Sequence, residues 1–164
     1  MGFPDRYRLR PGVSRDRAVL LKFLTATYHE LFPQQDNFAH LAKTVDQYFC
    51  AHSPLWWVEA TKAENKTHYS SHISPIAGLW MGNAIDQVTG DRYCHIFMVY
   101  VHPDHRRQGI ATGLIEQAQV WAQKRGDRQV GLQVFGHNQP AIELYERLGF
   151  RTQSLFLLKP LPSA

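Results

Sequence analysis

The sequence predicts an α/β fold, a mixed sheet with helices on both faces. Two observations carry that prediction. The segments read in the order strand, two helices, three strands, helix, strand, helix, strand. One of those strands, residues 93–101, is apolar on both of its alternating faces, as a central strand covered on each side must be. A chain of 164 residues, 44% apolar and 20% charged, is long enough for one sizeable core and is read as a single domain, 1–164.

Each element has a local reason. Tyr7–Arg10 is a short strand stopped by Pro11 and Gly12. A helix starts near Ser14 or Asp16, either of which can cap it, and places Leu20, Leu24, Tyr28 and Leu31 on one face before Pro33 ends it. A second helix follows Asp36, with Leu41, Val45, Tyr48 and Phe49 on its inner stripe. Leu55–Ala60 is a strand by its bulky aromatic and branched content. Residues 61–74 are mostly polar, without period, and read as an exposed, mobile loop. Pro75–Ile85 is a strand, and a turn about Gly90 leads into the central strand. Gly109–Lys124 is a helix with Ile110, Leu114, Ala118 and Trp121 facing the core. Gly126 closes it, and Gln129–Phe135 is the next strand. Asn138 caps a fourth helix, with Pro140 in its first turn and Gly149 at its end. Phe150–Leu158 reads as a last strand.

Bulk properties narrow the function. No apolar run is long enough to span a bilayer, and the start lacks the apolar segment of a signal peptide. Gly2 is not followed by the Ser or Thr that myristoylation requires, because position 6 is Arg6. Cys50 and Cys94 have no metal-type spacing, so a cytoplasmic protein with reduced thiols and no metal is expected. The net charge of +4 is scattered except at His105-Arg106-Arg107. That distribution argues against nucleic acid as a ligand and for a small anionic one.

The basic group sits inside the most informative stretch of the chain, from Val99 to Leu114. An apolar strand ends at Val101, a Pro-Asp turn follows, then two arginines, then Gly109 at the mouth of an amphipathic helix. Unpaired N–H groups and the helix dipole favour an anion there, and Gly109 permits close backbone approach. The form Arg106-x-x-Gly109-x-Ala111 resembles the acyl-coenzyme A signature of the GNAT superfamily of N-acyltransferases. A second stretch, Leu132 to Phe150, resembles that family's second motif through Asn138, Ala141, Leu144, Tyr145, Gly149 and Phe150. The interval between the two motifs leaves room for one helix, a turn and one strand. The resemblance covers roughly residues 75–158; the first half agrees in layout.

The resemblance implies a mixed, mostly antiparallel sheet of about six to seven strands flanked by four helices, in three α/β/α layers. It implies acetyl transfer from acetyl-CoA to a primary amine of a small-molecule or peptide acceptor, by direct attack in a ternary complex. The backbone of Arg106, Arg107, Gln108, Gly109, Ile110 and Ala111 would hold the pyrophosphate, with a hydroxyl hydrogen bond from Thr112. The arginine side chains are either phosphate partners or solvated surface. The backbone of Val99, Tyr100 and Val101 would pair with the pantetheine arm and steady the oxyanion. Asn138 is a coenzyme ligand, a helix cap, or both. Tyr145 is the acid that protonates the departing thiolate, or a core aromatic.

The general base departs from the family's patterns. Some members carry a glutamate eleven residues before the first motif, where this chain has His95. Another branch, which acetylates a ribosomal-protein N-terminus, carries a glutamate where this chain has Gln133. Imidazole is a credible base near neutral pH; Glu59 and a water chain are the alternatives. The acceptor would lie among residues 32–40, Trp56, Trp57, Trp80 and the 61–74 loop, with the tryptophans either lining it or filling the core. Homodimerisation through an added strand stays open. A non-catalytic acyl-coenzyme A sensor and an interaction module are the rival readings.

Overall fold

In the computed structural model, which describes residues 3, 5–61 and 74–162, the chain forms a five-stranded sheet in the order β1-β2-β3-β4-β5. The strands are β1 (Tyr7–Pro11), β2 (Leu55–Ala60), β3 (Pro75–Ile85), β4 (Arg92–Val101) and β5 (Val130–Leu132). The helices are α1 (Arg17–Leu31), α2 (His40–Tyr48), α3 (Ile110–Lys124) and α4 (Gln139–Arg147). Short 3-10 turns at Ser14–Asp16 and Pro103–His105 lead into α1 and out of β4. β1 to β4 are antiparallel neighbours, and β5 joins β4 in parallel after the α3 crossover. The described residues fall into two compact units, divided between Gln133 and Val134.

In the first unit the sheet is covered on both faces. Ile110, Leu114, Ala118 and Ala122 of α3 pack with Val58, Leu79, Met81, Cys94 and Ile96 on one face. Leu20, Phe23 and Leu24 of α1 and Leu41 and Val45 of α2 pack with Trp57, Trp80, Met98 and Tyr100 on the other. Trp57 and Trp80 are therefore core, whereas Trp56 lies half-buried edge-on to Trp121 on the α3 side. Gly78 is required beneath Trp57, since a Cβ there would come within 2.4 Å of the indole ring. Burial pushes the Cys94 thiol up to about 11, the behaviour of a structural rather than reactive cysteine.

β4 holds a feature that the pattern of its residues does not announce. Its register against β3 shifts between Trp80 and Met81, where Met98 and Ile96 are the successive partners and Phe97 is extra. This bulge lets Phe97 and Met98 both point toward α1 and α2, while Ile96 and Val99 point toward α3.

Four expectations need correction. Residues 150–158 are not a strand: residues 151–162 have no regular structure, and Leu155, Phe156, Leu157 and Leu158 are exposed. A strand exists only by pairing, and among its described residues the second unit contains one helix and no strand to pair with. The sheet accordingly has five strands, below the expected number. β5 is three residues long, because its ladder to β4 stops at Leu132. Tyr48 is 49% exposed, since α2 ends there and the turn into Phe49 buries Phe49 instead. Most of the 61–74 loop lies outside the described residues.

Neither expected cap is made by a side chain. The Asp16 carboxylate accepts from the Val13 N–H at 2.9 Å, the Trp57 indole at 3.0 Å and the Arg10 guanidinium at 2.9 Å. Asn138 caps α4 with its backbone carbonyl, which accepts from Ala141 and Ile142. The C-termini behave as expected. Gly126 and Gly149, at φ 84° and 90°, end α3 and α4 in Schellman turns, with Asp127 N–H donating to Ala122 and Phe150 N–H to Tyr145.

A charged cluster ties β1 to β2 and α1. Glu59, 5% exposed, accepts from Arg8 and Arg10 at 2.8 Å each, and Arg10 also bonds Asp16. Burial alone would raise both carboxyls, but the arginine partners, and for Asp16 also Val13 and Trp57, outweigh it and hold both below their usual values. Their contribution to stability is thus present in full above about pH 4.5 and lost as the pH falls through the lowered folded-state values. Asp16→Asn is expected to lower stability at pH 7 by about 1–3 kcal/mol. It should also flatten the loss below pH 4.5, read as the urea midpoint from pH 7 to pH 3.

Candidate functional site

The site grows from the end of β4. His102 N–H donates to Ile76 O at 2.8 Å, so His102 directs its backbone toward β3. Backbone direction alternates along a strand, so Tyr100 also faces β3 while Val99 and Val101 face away. On that far side β5 pairs only with Cys94, His95 and Ile96. Past Ile96 the edge of β4 has no strand beside it among the described strands of its unit. The Val101 carbonyl is taken by Arg106 Nε at 2.8 Å.

Beyond Val101 the chain turns twice. His105 N–H donates to His102 O and Arg106 N–H to Pro103 O, which closes the 3-10 turn. Arg107 then takes φ 61°, the only positive φ outside glycine among the described residues, and Gly109 takes φ 80° as the N-cap of α3. The first helical bond runs from Gly113 N–H to Gly109 O at 2.9 Å. The N–H groups of Ile110, Ala111 and Thr112 are left without backbone acceptors. No acidic residue stands in the first turn of α3, and a Cβ at Gly109 would meet nothing within 4 Å. A run of unpaired N–H groups around left-handed residues, at the positive end of a 15-residue helix, is a nest for an anion. The open space over Gly109 and the exposed Arg107 fit a pyrophosphate.

The side chains of the loop divide by role. Arg106 is exposed but already ion-paired: its guanidinium donates to both oxygens of Glu30 at 2.9 and 2.7 Å and lies over the Tyr100 ring. Gln108 Oε1 accepts from the Tyr7 hydroxyl at 2.6 Å and from Arg6. Arg107 is exposed as well, with no acidic side chain as its partner among the described residues.

His95 lies on the α1/α2 face of β4, edge-on to Phe97 at 5.1 Å and to Tyr93 at 6.2 Å. Its Nδ1 is buried without a hydrogen-bond partner among the described residues, and burial lowers its pKa below 6.5. It is therefore neutral at pH 7 and able to accept a proton. Glu59 has its carboxylate engaged by Arg8 and Arg10, which hold its pKa below the usual value and make it a weaker proton acceptor. An open hollow of about 290 Å³ is lined by Leu21, Thr25 and His29 of α1 and by Asp36, Phe38 and Ala42. It includes part of the expected acceptor stretch. Among the described residues no three metal-ligating side chains come together, and no helix is long and apolar enough to cross a membrane.

Val99–Val101 and Arg106–Thr112 thus lie together in the first unit, and Asn138 and Tyr145 lie on α4 of the second. Within its own unit Tyr145 packs against Phe150 at 5.7 Å, and burial raises its phenol above the usual value of 10. The Asn138 side chain makes no capping bond, which leaves its amide uncommitted to the cap. The left-handed turn at Arg107, the Phe97 bulge and the Glu30 and Tyr7 contacts had no sequence signal.

The sequence profile of the acetyltransferase (GNAT) family matches residues 20–150. A ribosomal protein bS18-alanine N-acetyltransferase of Escherichia coli is 35% identical over 100 residues, 60% of this chain and 67% of that protein. An uncharacterized N-acetyltransferase of Methanocaldococcus jannaschii is 41% identical over 73 residues, 44% of this chain, and the match spans only 32% of that relative. The fold matches a ribosomal-protein-alanine N-acetyltransferase from Brucella melitensis with a TM-score of 0.68 at 17% identity, over 94% of this chain and 99% of that one. It also matches AAC(6')-Iy, solved with the bisubstrate analog CoA-S-monomethyl-acetylneamine, with a TM-score of 0.65 at 18% identity, over 96% and 99%. The chain belongs to the GNAT family of acetyltransferase enzymes.

Gly109→Ala tests the cradle. The new methyl enters open space, so the cost to folding is the backbone strain of a left-handed alanine, about 1 kcal/mol. The same methyl occupies the nest, and the Kd for coenzyme A measured by calorimetry is expected to rise at least tenfold while the protein stays folded.

Proposed function

We propose that this protein transfers an acetyl group from acetyl-CoA to a primary amine, the two units together making one N-acetyltransferase domain. The observation that carries the reading is the Arg106–Thr112 nest set directly after a strand whose outer edge is unpaired past Ile96. One feature offers anion-binding N–H groups, and the other offers main-chain partners for an extended amide arm. Acetyl-CoA supplies the activated thioester. The curated relatives include a ribosomal protein bS18-alanine N-acetyltransferase and, in Acinetobacter baumannii, an aminoglycoside N(6')-acetyltransferase, which supports an amine acceptor.

In this reading the N–H groups of Gln108 to Thr112 bind the pyrophosphate, and Arg107 adds charge. The N–H groups of Val99 and Val101, fixed by the sheet, align the pantetheine arm and steady the oxyanion. A neutral amine is required for attack. His95, unprotonated at pH 7, takes its proton directly or through water. Tyr145, whose raised pKa keeps it protonated, gives its proton to the departing thiolate, and Asn138 binds the coenzyme arm.

Acetyl-CoA at a hundredfold over Kd is expected to raise Tm by roughly 5–10 °C, and equimolar ATP by much less. Absence of a shift in folded protein would sink the coenzyme reading. Free thiol should then appear with an amine panel containing lysine, an alanine-led peptide and an aminoglycoside. Tyr145→Phe is expected to lower kcat with little change in the Kd for acetyl-CoA. His95→Ala should cost most below the pKa of the acceptor amine, where free amine is scarce. A pH-independent effect would assign the base elsewhere.

A further inference from the structure

A non-glycine residue at φ 61° is strained and persists only where its surroundings hold it. Arg107 is exposed and lies in a turn, so its own side chain does not supply the restraint. The residues around it do. On one side, His105 Nδ1 lies 3.0 Å from the Tyr7 hydroxyl. On the other, Gln108 Oε1 accepts from that same hydroxyl at 2.6 Å. The phenol proton goes to Gln108, so the matching donor is His105 Nδ1–H. Tyr7 itself is 6% exposed, its ring fixed in the core of the α3 face and edge-on to His105 at 5.7 Å. One rigid hydroxyl thus fastens both flanks of the strained residue to the edge strand of the sheet. Arg6 bonds Gln108, and Phe3 rests against Gly113, which a Cβ would bring to 3.2 Å from its ring.

We propose that Tyr7 is a positioning residue for coenzyme binding: through Gln108 and His105 it holds Arg107–Gly109 in the left-handed turn that gathers the anion-binding N–H groups. The proposal rests on the coenzyme reading above. It assigns to the start of β1, far from either motif in sequence, a share in the affinity for the pyrophosphate.

The test is calorimetric binding of coenzyme A to wild type, Tyr7→Phe, Gln108→Ala and the double variant, with Tm recorded for each free protein. Tyr7→Phe keeps the buried ring and removes only the hydroxyl. It is expected to weaken binding about tenfold. Gln108→Ala should do much the same, and the double variant little more than either, because both break one link. S-acetylpantetheine, which lacks the pyrophosphate, should keep its KM in Tyr7→Phe. A Tyr7→Phe protein with lowered Tm and unchanged Kd would show a merely structural hydroxyl and overturn the proposal. So would additive losses in the double variant. Failure of the wild type to bind coenzyme A would instead remove the coenzyme reading, and this inference with it.

Discussion

β4 is paired on both edges over only three residues, and the candidate site is a consequence of that. Backbone N–H and C=O groups inside a protein must find partners. β3 supplies them along one edge of β4, and β5 supplies them on the other only as far as Ile96. Past that point the Val101 carbonyl is taken by the Arg106 side chain, and Val99 has no strand partner on that side among the described residues. A sheet can keep such a gap because the remaining four-strand ladder and two covered faces carry the core. The gap opens where the chain turns from β4 into α3, so strand edge and helix terminus come together by topology.

The two faces of the sheet are built differently. The α3 face is aliphatic, with Leu79, Met81, Ile96, Ile110 and Leu114 meeting strand to helix. The α1/α2 face is aromatic, with Phe23 edge-on to both Trp57 and Tyr100 and Trp80 against Phe97. Edge-to-face rings impose direction as well as burial. The Phe97 bulge brings two successive side chains of β4 onto this face. It also sets His95 beside the aromatic group, where its lone buried Nδ1 is kept from water.

Much of this was legible in the sequence. Periodicity located the helices and the long strands, because burial of one stripe or of alternate residues leaves a mark in composition. Gly109 and Gly149 announced the turns that need them. The turn from β4 into α3 was legible for the same reason, since its backbone geometry demands a glycine at position 109. What escaped depends on partners distant in the chain. Phe150–Leu158 has strand composition but no strand in its unit. Asp16 and Asn138 look like side-chain caps. One instead gathers Arg10, Val13 and Trp57, and the other caps with its carbonyl. Arg106 reads as a phosphate partner or a solvated arginine, and its pairing with Glu30, seventy-six residues earlier, had no signal in the sequence. Trp57 and Trp80 could line a pocket or fill a core, and only packing places them in the core.

The arginine at position 107 sets two kinds of fitness against each other. A glycine there would relieve the left-handed backbone at no steric cost. A search for thermostable variants would therefore tend to find it, since relief of strain at such positions is a common route to stability. The same change would remove the exposed cation from the mouth of α3. A non-glycine residue at this turn holds a charge there at the expense of a less stable fold.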